Sequence, residues 1–281
     1  MNNNILFATD LDGTLLDKSC TVPAPYAARL NKLIANGLFL TAATGRHPRS
    51  AQTALSSSGL KFATPAVCLN GAVLWDMEKD IPTAAWYIAP HVIDEVWEIV
   101  SGEKVPVHLF ACDLEQKTLT TYYLPWIDPD GTGRQLVYTP TQEPPCIFTA
   151  AGSAPDQNMI SGSYFSNKDL LLPIYQKLKK VSGIRTVFYA STRFSDMCFL
   201  EFYADNGGKG IAAREAMKYC PAESLYVFGD SENDIDLFIA ADRSFAPANA
   251  AAAALEAADE TVPTNLEGGV VSTIEKIVGA E

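Results

Sequence analysis

Ile5-Leu6-Phe7-Ala8-Thr9-Asp10-Leu11-Asp12-Gly13-Thr14 places a β-favouring apolar run directly before two carboxylates and a glycine. By length and residue type the run reads as a buried strand. Gly13 then permits a turn that a Cβ would hinder. In extended backbone, side chains two apart point to the same side, so Asp10 and Asp12 are expected to face one spot. Two carboxylates there repel unless a cation or a proton intervenes. Asp and Gly are also ordinary turn residues, so the stretch by itself does not decide between chemistry and a simple turn.

The 281 residues allow one large or two ordinary domains, and 48% apolar with 19% charged residues is an ordinary globular balance. A formal net charge of −12 argues against nucleic acid and anionic membrane surfaces as partners. A small phosphorylated substrate stays open, because a metal and a few local donors outweigh the global field. No stretch has the apolar length of a membrane span, and the start Met1-Asn2-Asn3-Asn4 lacks the basic region of a secretory signal, so a cytoplasmic location is expected. The cysteines (Cys20, Cys68, Cys112, Cys146, Cys198, Cys220) are scattered without a C-x-x-C and read as reduced thiols.

Working outward, Pro23 to Ala35 has Tyr26, Leu30, Leu33 and Ile34 at helical spacing, stopped by Asn36-Gly37. A second strand is expected over 38–43, a helix over about 48–57, and a third strand over 66–69 closed by Asn70-Gly71. The rhythm then changes to a hairpin (73–76 and 83–88), helices over about 91–101 and 169–181, and strand-like runs at 105–111, 119–123, 136–138, 186–189 and 197–203. The Pro- and Gly-rich stretch 139–157 suggests no element. Helix-strand alternation returns with a helix over 208–219, a strand over 225–228, a helix over 232–240, a short strand over 243–246, an Ala-rich helix over 248–258 and a last helix over 270–278. The expected fold is α/β: a doubly wound, Rossmann-like parallel sheet core from 1–81 and 205–281, with an inserted α+β cap domain over 82–204.

Ligands gather outside the C-terminal strand ends of such sheets, and three polar clusters fall there. They are Asp10/Asp12, Thr44-Gly45-Arg46, and Gly229-Asp230-Ser231-Glu232-Asn233-Asp234. Asp230 and Asp234 are four apart and share a helical face with Asn233. Four carboxylates without His or Cys suit Mg²⁺ rather than Zn²⁺. A helix cap would account for one of these acids, not for the converging set. The Thr44 hydroxyl and the N–H groups of Gly45 and Arg46 suit a phosphate oxygen. Arg46 reads equally as a substrate contact or a surface residue. Lys209, among Gly207, Gly208 and Gly210, draws interest only through this association. His47, His91 and His108 form no cluster, and His47 is expected on a helix surface.

The ordered motifs resemble the haloacid dehalogenase superfamily of phosphohydrolases, in its Cof-type branch with a large inserted cap. The residues responsible are Asp10 to Leu16, Ala43-Thr44-Gly45-Arg46, Leu69-Asn70-Gly71-Ala72, Gly208-Lys209-Gly210, Gly229 to Asp234, and Thr264 to Val270. Pro247, in Phe245-Ala246-Pro247-Ala248-Asn249, departs from the apolar pair usual before the Asn-Ala of that branch. The resemblance implies Asp10 as nucleophile, forming an aspartyl-phosphate, and Asp12 as general acid and then base. It implies Mg²⁺ held by Asp10, the Asp12 carbonyl and Asp230, with Asp234 close by. Thr44, Gly45, Arg46 and Lys209 would bind the phosphoryl group, with Asn70 and Asn233 at the rim. A small phosphorylated metabolite, sugar phosphate foremost, is the implied substrate, chosen by the cap. Trp86, Trp97, Tyr122, Tyr123 and Trp126 read as cap core before sugar contacts. The alternatives are a phosphomutase of the same superfamily and a phosphometabolite-binding regulator without turnover; Asp12 favours turnover over the latter.

Overall fold

A computed structural model describes residues 4–103, 105–124, 146–150 (backbone only), 154–155, 158–191, 194 and 196–279. The chain forms two compact units, Met1–Asp80 with Gly208–Glu281, and Ile81–Gly207. In chain order the first unit begins with β1 (Ile5–Thr9), α1 (Ala24–Ala35), β2 (Phe39–Ala42), α2 (Pro48–Leu55), β3 (Ala66–Cys68) and β4 (Val73–Asp76). The second holds β5 (Ile81–Ala85), α3 (Pro90–Gly102), β6 (Val107–Asp113), β7 (Thr118–Leu124), β8 (Cys146–Ala150), β9 (Met159–Asn167), α4 (Lys168–Leu178), β10 (Ile184–Ala190) and β11 (Met197–Ala204). The first unit resumes with α5 (Lys209–Ala216), β12 (Ser224–Phe228), α6 (Ile235–Ala240), β13 (Arg243–Pro247), α7 (Ala252–Ala257), β14 (Glu260–Val262) and α8 (Gly269–Val278).

The first unit is built on a parallel sheet in the order β14-β13-β12-β1-β2. Every residue of β1 is buried, as a strand covered on both faces requires. The chain leaves β1 for β2 on one side and returns later to β12 on the other, so the strand order reverses at β1. Asp10 follows β1, Thr44 follows β2 and Asp230 follows β12, all at the C-terminal edge. The third apolar run behaves differently from the expected third parallel strand. It joins the sheet edge only through one parallel bridge, Ala43 to Val67, and pairs antiparallel with β4. The cause is the turn Leu69-Asn70-Gly71, with φ of 50°, 53° and 84°, which sends the chain straight back. His47 is also corrected: it is buried beneath the start of α2, where Nδ1 accepts from the Arg49 N–H at 3.2 Å.

In the second unit a sheet runs β10-β11-β9-β6-β7-β8, antiparallel except for β7 with β8. Val96 and Val100 of α3 and Leu171, Ile174 and Leu178 of α4 bury one sheet face through Val107, Leu109, Leu200 and Phe202. Trp86, Trp97 and Tyr122 pack against this core, as expected of structural aromatics. Trp126 and the strand expected over 136–138 lie outside the described residues. The unassigned stretch 139–157 supplies β8. The strand β9 was not foreseen, because Ser161, Gly162, Ser163 and Ser166 are weak strand formers. Its hydrogen-bonded neighbours on both sides, β6 and β11, hold it in place. Gly162 makes room for the Phe202 ring, which a Cβ would overlap. Gly162→Ala is therefore expected to lower unfolding stability by about 1–3 kcal/mol in a urea titration. Among the described residues no helix is long and apolar enough to cross a membrane, and Cys20, Cys68, Cys112, Cys198 and Cys220 are free thiols.

Candidate active site

Asp10 donates its N–H to the Phe228 carbonyl at 2.8 Å, which fixes it beside the end of β12. Lys209, the first residue of α5, is wholly buried and donates to Asp10 Oδ1 at 2.8 Å and Asp234 Oδ1 at 2.6 Å. The other Asp234 oxygen accepts the N–H groups of Asp230 and Ser231, each at 3.0 Å, and so caps the turn that opens α6. Asp230 Oδ1 accepts from the Thr14 hydroxyl at 3.2 Å. One carboxylate oxygen from each of Asp10, Asp230 and Asp234 lies within 4.8 Å of the others, all three residues being buried.

Burial holds Asp10 well above the ordinary carboxylate range; Lys209 opposes this, while Asp234 and Asp230 add to it. Burial, then Asp234, pushes Asp230 up to about 7. Burial works against the Lys209 charge, yet Asp10 and Asp234 keep the ammonium protonated. Three carboxylates against one ammonium leave a formal charge of −2 in a buried site. That donor set, all oxygen and two charges short of neutral, fits Mg²⁺. Both Asp234 oxygens already have donors, which leaves Asp10 and Asp230 better placed to hold a cation directly.

Asp12 engages a different partner. Arg46 grips it bidentately, Nε to Oδ2 and Nη2 to Oδ1, both at 2.6 Å. Arg46 is itself tied to Ser50 Oγ at 3.1 Å, so it is neither a bare surface residue nor a residue without a protein partner. Asp12 still adds to the negative field at Asp10 and Asp230. Buried Thr44 accepts the Arg46 N–H through Oγ1 at 3.1 Å, with Gly45 between them. Asn233 donates to Asn70 Oδ1 at 3.0 Å, joining the turn after β3 to the turn before α6.

A family model described as haloacid dehalogenase-like hydrolase matches residues 7–274. The chain belongs to that family. Among curated proteins, this hydrolase is 24% identical over 280 residues to the "Putative phosphatase YxeH" of Bacillus subtilis, covering 98% of this chain and 99% of the relative. Its fold is shared by TM0651 of Thermotoga maritima (TM-score 0.69, 21% identity, 97% of each chain). It is shared too by a haloacid dehalogenase-like hydrolase of B. subtilis (TM-score 0.73, 19% identity, 97% of this chain and 99% of that one). A third is the HAD subclass IIB sugar phosphatase BT4131 (TM-score 0.73, 17% identity, 98% of this chain and 99% of that one). The family and the α/β fold expected from the motifs both hold.

Two contributors to the hydrolase site escaped the sequence reading. Thr14 lies inside the first motif, but nothing in one sequence shows its hydroxyl reaching Asp230. Asn249 donates to the Gly13 carbonyl at 2.8 Å and accepts the Asn265 N–H at 2.9 Å, pinning the loop after β1 from the C-terminal side. Pro247 leaves that arrangement intact. Gly13 and Gly71 are required by close approach: a Cβ on Gly13 would overlap the Asp230 carboxylate, and one on Gly71 would overlap the Gly208 carbonyl. Gly71 also sits at φ 84°, so Gly71→Ala combines backbone strain with displacement of the residue before Lys209. It is expected to cost about 2–4 kcal/mol of stability and most of the activity, read by thermal melts and phosphate release.

Proposed function

We propose that this haloacid dehalogenase-like phosphatase hydrolyses phosphomonoesters of small metabolites, sugar phosphates foremost, through an aspartyl-phosphate on Asp10. The observation that supports this most is the buried Asp10–Lys209–Asp234 network with Asp230 beside it. A carboxylate attacking a phosphate dianion meets strong repulsion, so the nucleophile must sit among positive charge. Lys209 supplies a fixed ammonium against Asp10 Oδ1. The second carboxylate oxygen of Asp10 attacks phosphorus while the bond to the leaving oxygen breaks, and Asp12 delivers a proton to that oxygen. Asp12 then takes a proton from the water that attacks the phosphorus of the aspartyl-phosphate, releasing phosphate and restoring Asp10. The Thr44 hydroxyl and the Gly45 N–H are suited to the phosphoryl oxygens, and because the bidentate Arg46 grip favours the carboxylate, Asp12 acts as the acid once it has left Arg46 and taken up a proton, and as the base in its carboxylate form.

Mg²⁺, held by Asp10 and Asp230 with the Asp12 carbonyl and with Asp234 fixing the Asp230 backbone, would supply charge neutralisation and orient the phosphoryl group. We further propose that Ile81–Gly207, the counterpart of the insertion expected over 82–204, is the cap that selects the leaving group. The sugar phosphatase named among the fold relatives supports the sugar phosphate reading.

The test is phosphate release from sugar phosphates, nucleotides and pyridoxal phosphate. Chelation by EDTA is expected to abolish turnover, and added Mg²⁺ to restore it at least about a hundredfold. Turnover unaffected by chelation would refute the metal dependence, and an isomerised sugar phosphate in place of free phosphate would refute hydrolysis in favour of mutase chemistry.

A further inference from the structure

The turn Leu69-Asn70-Gly71, between β3 and β4, holds a backbone that its first residue disfavours. Leu69 and Asn70 take φ of 50° and 53°, and both are buried. Asn tolerates the left-handed region, but a Leu there is an outlier. Such strain persists only where the surroundings over-determine it, and it gathers at functional sites.

Here the surroundings are three segments of the candidate site. The Leu69 N–H donates to the Arg46 carbonyl and the Asn70 N–H to the Thr44 carbonyl, each at 3.1 Å. Gly71 lies against the start of α5: a Cβ on it would come within 2.1 Å of the Gly208 carbonyl oxygen and 2.6 Å of the Lys209 nitrogen. That carbonyl accepts the Ala212 N–H at 3.0 Å, so the turn presses on the first bond of the helix that carries Lys209. Asn70 Oδ1 accepts from Asn233 Nδ2 at 3.0 Å, and Asn233 directly precedes Asp234, which receives the Lys209 ammonium at 2.6 Å. Both asparagines are buried, at 2% and 8% exposure, where a hydrogen bond between them is not exchanged freely for water. Glycine is the default residue for a left-handed position. An asparagine at position 70 therefore adds what glycine lacks, an amide that reaches the turn before α6.

We propose that Asn70 and Asn233 are positioning residues whose bridge locks the strained turn and so sets the Lys209 ammonium against the Thr44–Arg46 segment. This inference rests on the phosphatase reading above, and it gives the two asparagines a role distinct from contact with substrate at the rim.

The parent, Asn70→Gly, Asn233→Ala and the double variant are compared on a hexose phosphate, a nucleotide and para-nitrophenyl phosphate, with thermal melts beside the kinetics. Glycine accepts the positive φ without strain, so Asn70→Gly removes the bridge and leaves the turn, with a melting temperature expected within about 3 °C of the parent. Each single variant is expected to lower kcat about tenfold, by the same factor on every substrate and with KM within about twofold, because misplaced groups weaken the transition state whatever the leaving group. The double variant is expected to lose no more than the worse single variant. A rise in KM on one substrate with kcat unchanged makes the asparagines substrate contacts and overturns the positioning role. Losses that multiply in the double variant overturn the bridge, and an unchanged kcat in Asn70→Gly overturns it even where Asn233→Ala does not fold. A parent active on these substrates with indifferent variants overturns this inference alone; a parent that releases phosphate from none of them overturns the phosphatase reading with it.

Discussion

Replacing Asp10 by Asn lowers kcat for phosphate release by roughly 10³-fold or more, while the protein stays folded. Asn keeps the size and accepts one hydrogen bond from Lys209, but its amide neither attacks phosphorus at a useful rate nor shares in holding a cation. The fold should tolerate the change. Asp10 is held well above the ordinary carboxylate range by burial and by Asp234 and Asp230, so its charge is a burden on the native state. Removing it relieves the like-charge repulsion from Asp234, Asp230 and Asp12 and leaves Lys209 paired with Asp234 at 2.6 Å. The melting temperature is accordingly expected to hold or rise in the metal-free protein. Activity loss with retained stability separates a chemical role from a structural one, and thermal melts beside a phosphate-release assay decide it.

Lys209→Met has the second large effect, and its signature differs. The ammonium is the one charge set between Asp10 and Asp234, with no exposure to water. Methionine fills much of the volume and leaves buried carboxylates without their counter-charge. Breaking a buried ion pair from one side costs about 3–5 kcal/mol, and loss of the charge facing the phosphoryl group costs roughly 10²–10⁴ in kcat. Protonation of the carboxylates limits the stability loss as pH falls. A cation bound by Asp10 and Asp230 should compensate in the same way, so the melting-temperature deficit is expected to shrink when Mg²⁺ is added. An equal deficit with and without Mg²⁺ would separate the lysine from the metal site.

Much of this was legible in the sequence, and the reasons are physical. Strand β1 announced itself because a strand covered on both faces must be apolar throughout, and the acids follow it where the backbone leaves the sheet. Asp230 and Asp234 were readable because their spacing and Gly229 belong to a strand-to-helix turn. What the sequence hid were the partners. Nothing in a local pattern tells that Asp12 is gripped by Arg46 across a separation of 34 residues, or that Asn249 reaches the Gly13 carbonyl across 236. Local propensity also misled. Met159–Asn167 looks unlike a strand because its serines are weak strand formers and its glycine is there to make room for Phe202. The third apolar run misled for the opposite reason: its composition suits a sheet interior, but three consecutive residues of positive φ turn it back.

The central claim is that Asp10 becomes phosphorylated during turnover. The most direct measurement is to quench the enzyme during steady-state hydrolysis, reduce it with borohydride, and map the protein by mass spectrometry. An acyl-phosphate is reduced to the alcohol, so the account predicts conversion of Asp10, and of no other carboxylate, to homoserine, dependent on substrate and absent from Asp10→Asn. Turnover with no conversion at Asp10, or with conversion at Asp12, Asp230 or Asp234 instead, would contradict it.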